Sequence, residues 1–291
     1  MFLFTGDEKY YDIIERTLYN GLIAGISLDG KEFFYPNPLT SDGKYAFNQG
    51  GCTREPWFDC SCCPTNLIRF IPSVSNLTYA TGGDSLYVNL FMSNEAHITV
   101  DNKRVDIAQQ TNYPWNDDVM ITVNPEKKSE FTLKVIIPGW TRGIVAPGGL
   151  YSFQTMDAGS ANVTIDGVET GPVDANGYVS ITRKWKKGDV VNINFPMDVR
   201  RVVTRDEVVG NRNRVALEYG PIVYCAEEAD NKNTFNNIQV SDSAQFDVEY
   251  KPSMLNGINV IKTTGENSFL LIPYYAWSNR GVGKMDVWIP R

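Results

Sequence analysis

Residues 86–92 read Leu-Tyr-Val-Asn-Leu-Phe-Met, and here apolar side chains begin to recur with a period of two. The same alternation returns at His97–Val100, Val119–Val123, Phe131–Ile137, Ala161–Ile165, Tyr178–Thr182 and Val190–Phe195. Turns rich in Gly, Asn, Asp and Pro separate these segments at a spacing of roughly 8–20 residues, the pattern of a β-sandwich. Further segments follow at Val199–Thr204, Arg214–Glu218, Ile222–Ala226, Phe246–Tyr250, Ile258–Lys262, Phe269–Pro273 and Met285–Ile289, enough for a second sandwich. The pattern predicts one β unit over 77–198 and another over 199–291, with the last strand able to return to the first unit.

Upstream of Leu77 the period changes. In residues 7–24, Tyr10, Ile13, Ile14, Thr17, Leu18, Gly21 and Leu22 fall at helical spacing. Thr5 or Asp7 is placed to cap this helix and Gly25 to end it. A Gly- and Pro-punctuated connection carries a short strand candidate at Glu32–Tyr35. A second helix is predicted from Pro64 to about Asn76, with Leu67, Ile68, Phe70, Ile71 and Val74 on one face and Pro72 forcing a kink or an early end. Two such helices alone cannot bury both their apolar faces. Residues 1–76 therefore read as the end of a larger helical domain, and their exposed faces as a place for self-association.

Composition narrows the function. With 42% hydrophobic and 21% charged residues, the 291-residue chain has the material for a sizeable core and is not a disordered polymer. No apolar run approaches the ~20 residues of a membrane-spanning helix, which argues against a membrane partner. Net charge is -7, and the one dense basic run, Arg183, Lys184, Lys186 and Lys187, reads as a solvated strand end, so nucleic acid is not expected as a partner. The N-terminal MFLFTGDEKYYD has no basic region and no long apolar run, and does not read as a signal peptide. The single histidine, His97, falls in a predicted strand and reads as a surface residue. Acid–base chemistry is left to carboxylates, Tyr, Lys or Cys.

The densest chemical signal is Arg54-Glu-Pro-Trp-Phe-Asp-Cys-Ser-Cys-Cys-Pro-Thr-Asn66. Four of the five cysteines, Cys52, Cys60, Cys62 and Cys63, lie within it or just before it, and Cys225 stands alone. The odd number does not suit a disulfide framework. Cys62 and Cys63 sit just before a predicted helix N-terminus, where unpaired N–H groups and the helix dipole lower a thiol pKa. From these residues alone, buried free thiols, a vicinal disulfide, a structural zinc and a reactive or metal-bound catalytic thiol all remain open. Glu32, Glu55 and Asp59 read as solvated loop charges.

The run WFDCSCCPTNLIRFIPS, preceded by TGDEKYYDIIERTLYNGLIAGISLDGKEFFYPNPL, resembles glycoside hydrolase family 127 and its close relative family 146, the β-L-arabinofuranosidases. WKKGDVVNINFPM, VALEYGPIVYCAEEADN and PYYAWSNRGVGKMDVWIP extend the resemblance over nearly the whole chain. It implies a chain that is mainly β with an N-terminal α segment: the end of an (α/α)6 toroid over 1–76 followed by two β-sandwich units. It implies a retaining hydrolase acting on arabinose-containing, plant-derived glycans through a zinc-bound cysteine. By the same resemblance Cys62 is the nucleophile and a zinc ligand, Cys63 a second ligand, and Tyr35 a substrate contact.

The family's remaining ligands come from an upstream Glu-x-Cys motif, and its acid/base glutamate is upstream as well. No cysteine here has a Glu two residues before it. The expectation is the C-terminal part of a longer enzyme, with weak or absent zinc binding in this chain. The alternative is a catalytically inactive β-rich module for carbohydrate binding or domain assembly.

Overall fold

A computed structural model of the chain describes residues 1–155, 159–232, 234–264 and 268–291. The fold is mainly β with a helical N-terminal segment. It divides into two compact units, each gathered from separate stretches: Met1–Glu15, Ser73–Pro147 and Asp157–Met197 in one, Arg16–Pro72, Gly148–Met156 and Asp198–Arg291 in the other.

The first unit contains two sheets. Six antiparallel strands run in the order Val168–Glu169, Asn162–Ile165, Asp189–Asn194, Asp118–Pro125, Lys103–Thr111, Asn94–Val100. Four more run Tyr178–Trp185, Ser129–Ile136, Ser85–Val88, Tyr79–Gly82, with one parallel pair between Ser85–Val88 and Ser129–Ile136. The period of two sorts their side chains. Val119, Ile121 and Val123 of one strand are buried, as are Leu133 and Val135 of another. Lys103–Thr111 is a strand that the sequence pattern overlooks. Its buried positions are Val105, Ile107 and Gln109, and the amide of Gln109 donates to Tyr79 Oη at 3.0 Å and to the Leu90 carbonyl at 3.2 Å. His97 stands on the exposed face of Asn94–Val100, its Nδ1 2.7 Å from Asp106 Oδ1.

A one-turn helix, Phe2–Thr5, leads into the helix Lys9–Arg16, whose first N–H, that of Lys9, is accepted by Asp7 Oδ1 at 3.1 Å. Its face in this unit is not left bare as expected. Phe2 and Tyr11 are buried, and the Phe2 ring packs edge-on to Tyr11 at 4.8 Å and to Tyr87 at 5.5 Å. Leu3, Phe4 and Ile13 remain exposed. Three carboxylates spaced four and three residues apart fix the helix further. Glu8 pairs with Arg142, Asp12 Oδ1 accepts the Gly139 N–H at 2.8 Å, and Glu15 accepts the Tyr113 hydroxyl at 2.6 Å. Burial pushes Glu15 up from 4.5 to about 8 and Asp12 up from 3.8 to about 6.

In the second unit ten strands share one antiparallel hydrogen-bonded network. Its main path runs Phe246–Lys251, Ile258–Thr263, Leu270–Pro273, Ile222–Glu227, Arg214–Tyr219, Val199–Thr204, Tyr151–Phe153. Thr40–Asp42 joins through Lys284–Asp286, which also pairs with Ile222–Glu227. The last strand, Ile289–Pro290, pairs with Arg214–Val215 of the same unit and does not return to the first one. Its main-chain donors and acceptors are taken up where the chain already runs.

The helical part of this unit departs from the regular helix predicted over 7–24. Residues Thr17–Leu22 widen into a π-helical turn, followed by a tight turn at Ile23–Gly25. Asn20 occupies the widened turn: its amide donates to the Arg16 and Pro221 carbonyls, both at 2.9 Å, and its oxygen accepts the Val223 N–H at 2.7 Å. The second helix is Cys62–Phe70, giving way to a 3₁₀ stretch over Ile71–Leu77 that contains Pro72. It starts two residues before Pro64, so both thiols lie inside the first turn. Pro64 is accommodated there because first-turn N–H groups have no helical partner to lose. Glu32–Tyr35 is not a strand: Phe33 makes only single bridges, to Ile26 and Glu55.

Arg54 holds this segment together. Its side chain is almost wholly buried, and no carboxylate among the described residues lies within ion-pair distance. The guanidinium instead donates to three carbonyls, of Trp277 at 2.5 Å, Ala24 at 2.9 Å and Tyr275 at 3.2 Å. It stacks 4.2 Å over the Phe34 ring, which itself stacks on Trp277 at 5.0 Å. Burial lowers its pKa to about 10.

Two measurements check these packings. A carboxylate whose folded pKa is raised binds a proton the unfolded chain has released, so its contribution is intact below about pH 4 and is lost as pH rises through 6 for Asp12 and 8 for Glu15. Thermal unfolding should show stability falling from pH 5 to pH 9. Glu15→Gln should flatten that fall, adding on the order of 2 kcal/mol at pH 8.5 and little at pH 5. Arg54→Met leaves three buried carbonyls without their donor and should lower stability in urea unfolding by about 3–5 kcal/mol. A loss under 1 kcal/mol would mean that water replaces the guanidinium there.

Candidate active site

Cys62 and Cys63 open the helix Cys62–Phe70, and Cys60 lies two residues before it. Cys60 and Cys62 are exposed and Cys63 is half-buried. The sulfurs gather. Cys62 Sγ lies 3.8 Å from Cys63 Sγ and 3.9 Å from Cys60 Sγ. The Tyr35 hydroxyl lies 3.3 Å from Cys62 Sγ and 3.8 Å from Cys60 Sγ. The structure thus brings together the three residues singled out from sequence, Cys62, Cys63 and Tyr35. Glu32 and Asp59 are exposed and Glu55 is half-buried, and none of them joins the thiols among the described contacts. Cys52 sits apart, directed at the Lys44 carbonyl at 3.3 Å, and Cys225 is buried in a strand.

The electrostatics distinguish the two adjacent thiols. The Tyr35 hydroxyl, followed by the Cys63 and Cys60 thiols, holds Cys62 below the usual thiol range, which shifts it toward the thiolate. Donating to that thiolate pushes the Tyr35 phenol well above its ordinary value. Burial pushes Cys63 up, and its neighbour's charge adds to the shift. The helix start favours negative charge at Cys62 as well. Thr65 and Asn66 side chains donate back to the Cys62 carbonyl at 3.1 and 2.9 Å, fixing the first turn.

Residues not singled out from sequence set the geometry. Asn48 is fully buried; its oxygen accepts the Tyr35 N–H at 2.7 Å, and its amide donates to the carbonyls of Phe33 at 3.1 Å and Thr53 at 2.7 Å. It stands at the head of a tight turn with Gln49 and Gly50 both at positive φ, closed by hydrogen bonds between Asn48 and Gly51. The Phe33–Glu55 bridge and the Phe58 ring, 5.6 Å from that of Tyr35, complete the support. The run Asn-Gln-Gly-Gly is a turn signal in the sequence, but nothing in it announces that Asn48 faces inward.

Two sulfurs with a single hydroxyl can supply a nucleophile and part of a metal cage, but not a whole one. Among the described residues no group of three or more His, Cys, Asp or Glu side chains is arranged to hold a metal ion. The Cys62–Cys63 separation nevertheless matches the edge of a tetrahedron with zinc–sulfur bonds of ~2.3 Å, which is about 3.8 Å. The pair fits as two corners of four.

Comparison with known proteins gives one answer along the chain. A model described as the GH127 catalytic domain of β-L-arabinofuranosidases matches residues 1–76. The GH127 middle domain matches 85–197, and the glycoside hydrolase family 127 C-terminal domain matches 199–290. The non-reducing end β-L-arabinofuranosidase of Bifidobacterium longum subsp. longum is 30% identical over 96% of this chain and 45% of its own length. The solved structure of a GH127 β-arabinofuranosidase superposes with a TM-score of 0.92 at 46% identity, over 99% of this chain and 46% of that one. A GH127 β-L-arabinofuranosidase from Geobacillus stearothermophilus T6 gives 0.88 at 38% identity, over 100% and 47%. The chain spans about half the length of these relatives. With three domain models of one family in unbroken order and a thiol cluster in the first of them, the chain belongs to glycoside hydrolase family 127.

Proposed function

We propose that this chain supplies the nucleophile-bearing part of a retaining β-L-arabinofuranosidase that acts on arabinose-containing glycans. The observation that carries this reading is the 3.3 Å contact between the Tyr35 hydroxyl and Cys62 Sγ at the opening of a helix. That contact favours an exposed thiolate and fixes its direction. The relatives named above are β-L-arabinofuranosidases, which supports the substrate class.

Cys62 is the nucleophile in this reading. Its sulfur forms a bond to the anomeric carbon as the bond from that carbon to the leaving oxygen breaks. Water then takes the place of sulfur, and the sugar leaves with its original configuration. Each half of this sequence needs a proton moved at the leaving or entering oxygen. No carboxylate among the described contacts of Cys62 can do this, so the acid/base group comes from outside the residues assembled here. Tyr35 donates to sulfur in the resting site and orients it.

Zinc fits the pair Cys62 and Cys63 by their separation and by the preference of zinc for thiolates. When bound, it would keep the thiols deprotonated at neutral pH. Cys60 is the further thiol beside the pair, 3.9 Å from Cys62 Sγ, and in this reading the remaining ligands come from chain beyond these 291 residues. The inactive carbohydrate-binding alternative has no observation in its favour at this cluster, where a lowered thiol pKa would be idle.

The deciding experiment pairs this chain with its upstream coding sequence in frame and assays an aryl β-L-arabinofuranoside. The longer protein should turn over and should retain zinc after dialysis. Cys62→Ser in it should lower kcat by on the order of 10⁴-fold or more, and Cys63→Ser should lower the zinc content. Full activity in Cys62→Ser would remove the nucleophile assignment. A second measurement needs only the 291-residue chain. Removing the hydroxyl in Tyr35→Phe should raise the Cys62 pKa, so alkylation of the Cys62 peptide by iodoacetamide at pH 7 should slow several-fold relative to wild type, while the two rates converge at pH 10.

A further inference from the structure

A second concavity in the same compact unit shares no residue with the thiol cluster. It is a cavity of about 400 Å³, and Arg16, Asn37, Tyr151, Glu218, Tyr274 and Trp288 are among the side chains around it. Its volume is that of a small-ligand site. Its floor is one face of the sheet. Val202 and Ala216 are directly paired across adjacent strands, as are Glu218 and Val223, so these side chains project to the same side.

Glu218 is the unusual residue. It is 1% exposed, and one carboxylate oxygen is paired with the Arg16 guanidinium. The other oxygen, Oε2, is buried without any hydrogen-bond partner. Leaving a buried carboxylate oxygen unpaired is costly, more than a merely structural ion pair needs to tolerate. Burial opposes charge on Arg16, and the Glu218 carboxylate more than compensates. Glu218 lines the cavity beside Arg16. Asn37 lines the cavity too, its amide N–H donating to the Gly21 carbonyl at 2.7 Å. Asn20 adds no acceptor, its donors and acceptor being engaged with main chain.

Opposite these acceptors stand aromatic faces. Tyr151 and Trp288 stack with ring centroids 6.1 Å apart and planes 23° apart, and Tyr151 is 37% exposed. The phenol of Tyr274 is turned away, donating to the Pro38 carbonyl at 2.9 Å, which leaves its ring as apolar wall. The combination selects a ligand with several hydroxyl donors along one edge and a flat C–H surface on the other, without net charge. A sugar ring has those properties: its hydroxyls donate to the carboxylate and the amide oxygen, and its C–H face lies against an aromatic ring. A cation is disfavoured because Arg16 already pairs with Glu218.

We propose that this cavity is a second saccharide-binding site for one neutral sugar ring, with Glu218 as the hydrogen-bond acceptor and the Tyr151–Trp288 pair as the stacking wall. It does not depend on the catalytic reading of Cys62. Bound next to a glycan's cleaved end, it would raise the residence of the polymer without touching the reacting bond.

The test is saturation-transfer NMR and calorimetry on the 291-residue chain with L-arabinose and methyl α-L-arabinofuranoside, at up to about 50 mM because isolated sugar rings bind weakly. Binding should be detected. Trp288→Ala and Tyr151→Ala should weaken it about 10-fold or abolish it. Glu218→Gln should weaken it about 5–10-fold while circular dichroism and melting show a folded protein. Loss in Tyr35→Phe with retention in Trp288→Ala would overturn the proposal and place the sugar at the thiols. No binding of either sugar would overturn it as well, as would equal binding of acetate or tetramethylammonium.

Discussion

The buried Arg54 guanidinium is the constraint on which the second unit depends. A charge removed from water needs partners, and here these are the carbonyls of Ala24, Tyr275 and Trp277 together with the Phe34 ring. The carbonyls belong to segments some 30 and more than 200 residues from Arg54 in the chain. Satisfying one side chain therefore fixes the end of the first helix, the C-terminal Tyr-Tyr-Ala-Trp turn and the loop leading to the cysteines. Tyr35 adjoins Phe34, and Cys60 follows Arg54 by six residues. Carbonyl partners also explain the residue type. They are partial charges spread in a fan, which a planar guanidinium with five N–H groups matches and an ammonium does not.

Asn48 does the same for the Tyr35 side of the site. It ties three main-chain groups of Phe33, Tyr35 and Thr53 with one buried amide. Gly51 belongs to that arrangement, because a Cβ there would stand 1.9 Å from Glu55 Oε1. Tyr35 is thus positioned by a turn, and Cys62 by a helix start. The 3.3 Å between them is the sum of two local structures held together through Phe33, whose main chain bridges Glu55. The direction of the thiolate follows from packing rather than from the thiol itself.

This division marks what was legible in the sequence. The strand Asp118–Pro125 announces itself because its buried positions Val119, Ile121 and Val123 are apolar at every second residue. Lys103–Thr111 does not, because a buried Gln109 takes the place of the third apolar residue and only Val105 and Ile107 are left to show the period. The cysteine cluster was legible from its density and its place at a helix start, and Tyr35 only from the family resemblance. Arg54, Asn48, Asn20 and Glu15 were not, for a common reason. Each is a polar residue in a position where polarity normally signals solvent, and its burial is set by partners distant in sequence. The π turn at Thr17–Leu22 was hidden likewise, since an Asn reaching Pro221 and Val223 decides it.

The chemistry of the thiols follows from what surrounds them. A cysteine can be made a nucleophile by a neighbouring cation, which lowers its pKa by direct Coulomb attraction. Cys62 has a phenol, two thiols and a helix start, none of which carries a positive charge. Such donors orient a thiolate well and stabilise it modestly. Burial pushes Cys63 up, with the Cys62 sulfur 3.8 Å away adding to the shift, while the Tyr35 hydroxyl pulls Cys62 down. A pair of this kind is half of an electrostatic arrangement: it has geometry for a dication and lacks any resident charge to stand in for one. On the proposed reading the same dication would release the second proton. Cys63 would then change from the thiol that limits its neighbour into a ligand that shares its load, and the site's reactivity would be switched by metal rather than by pH.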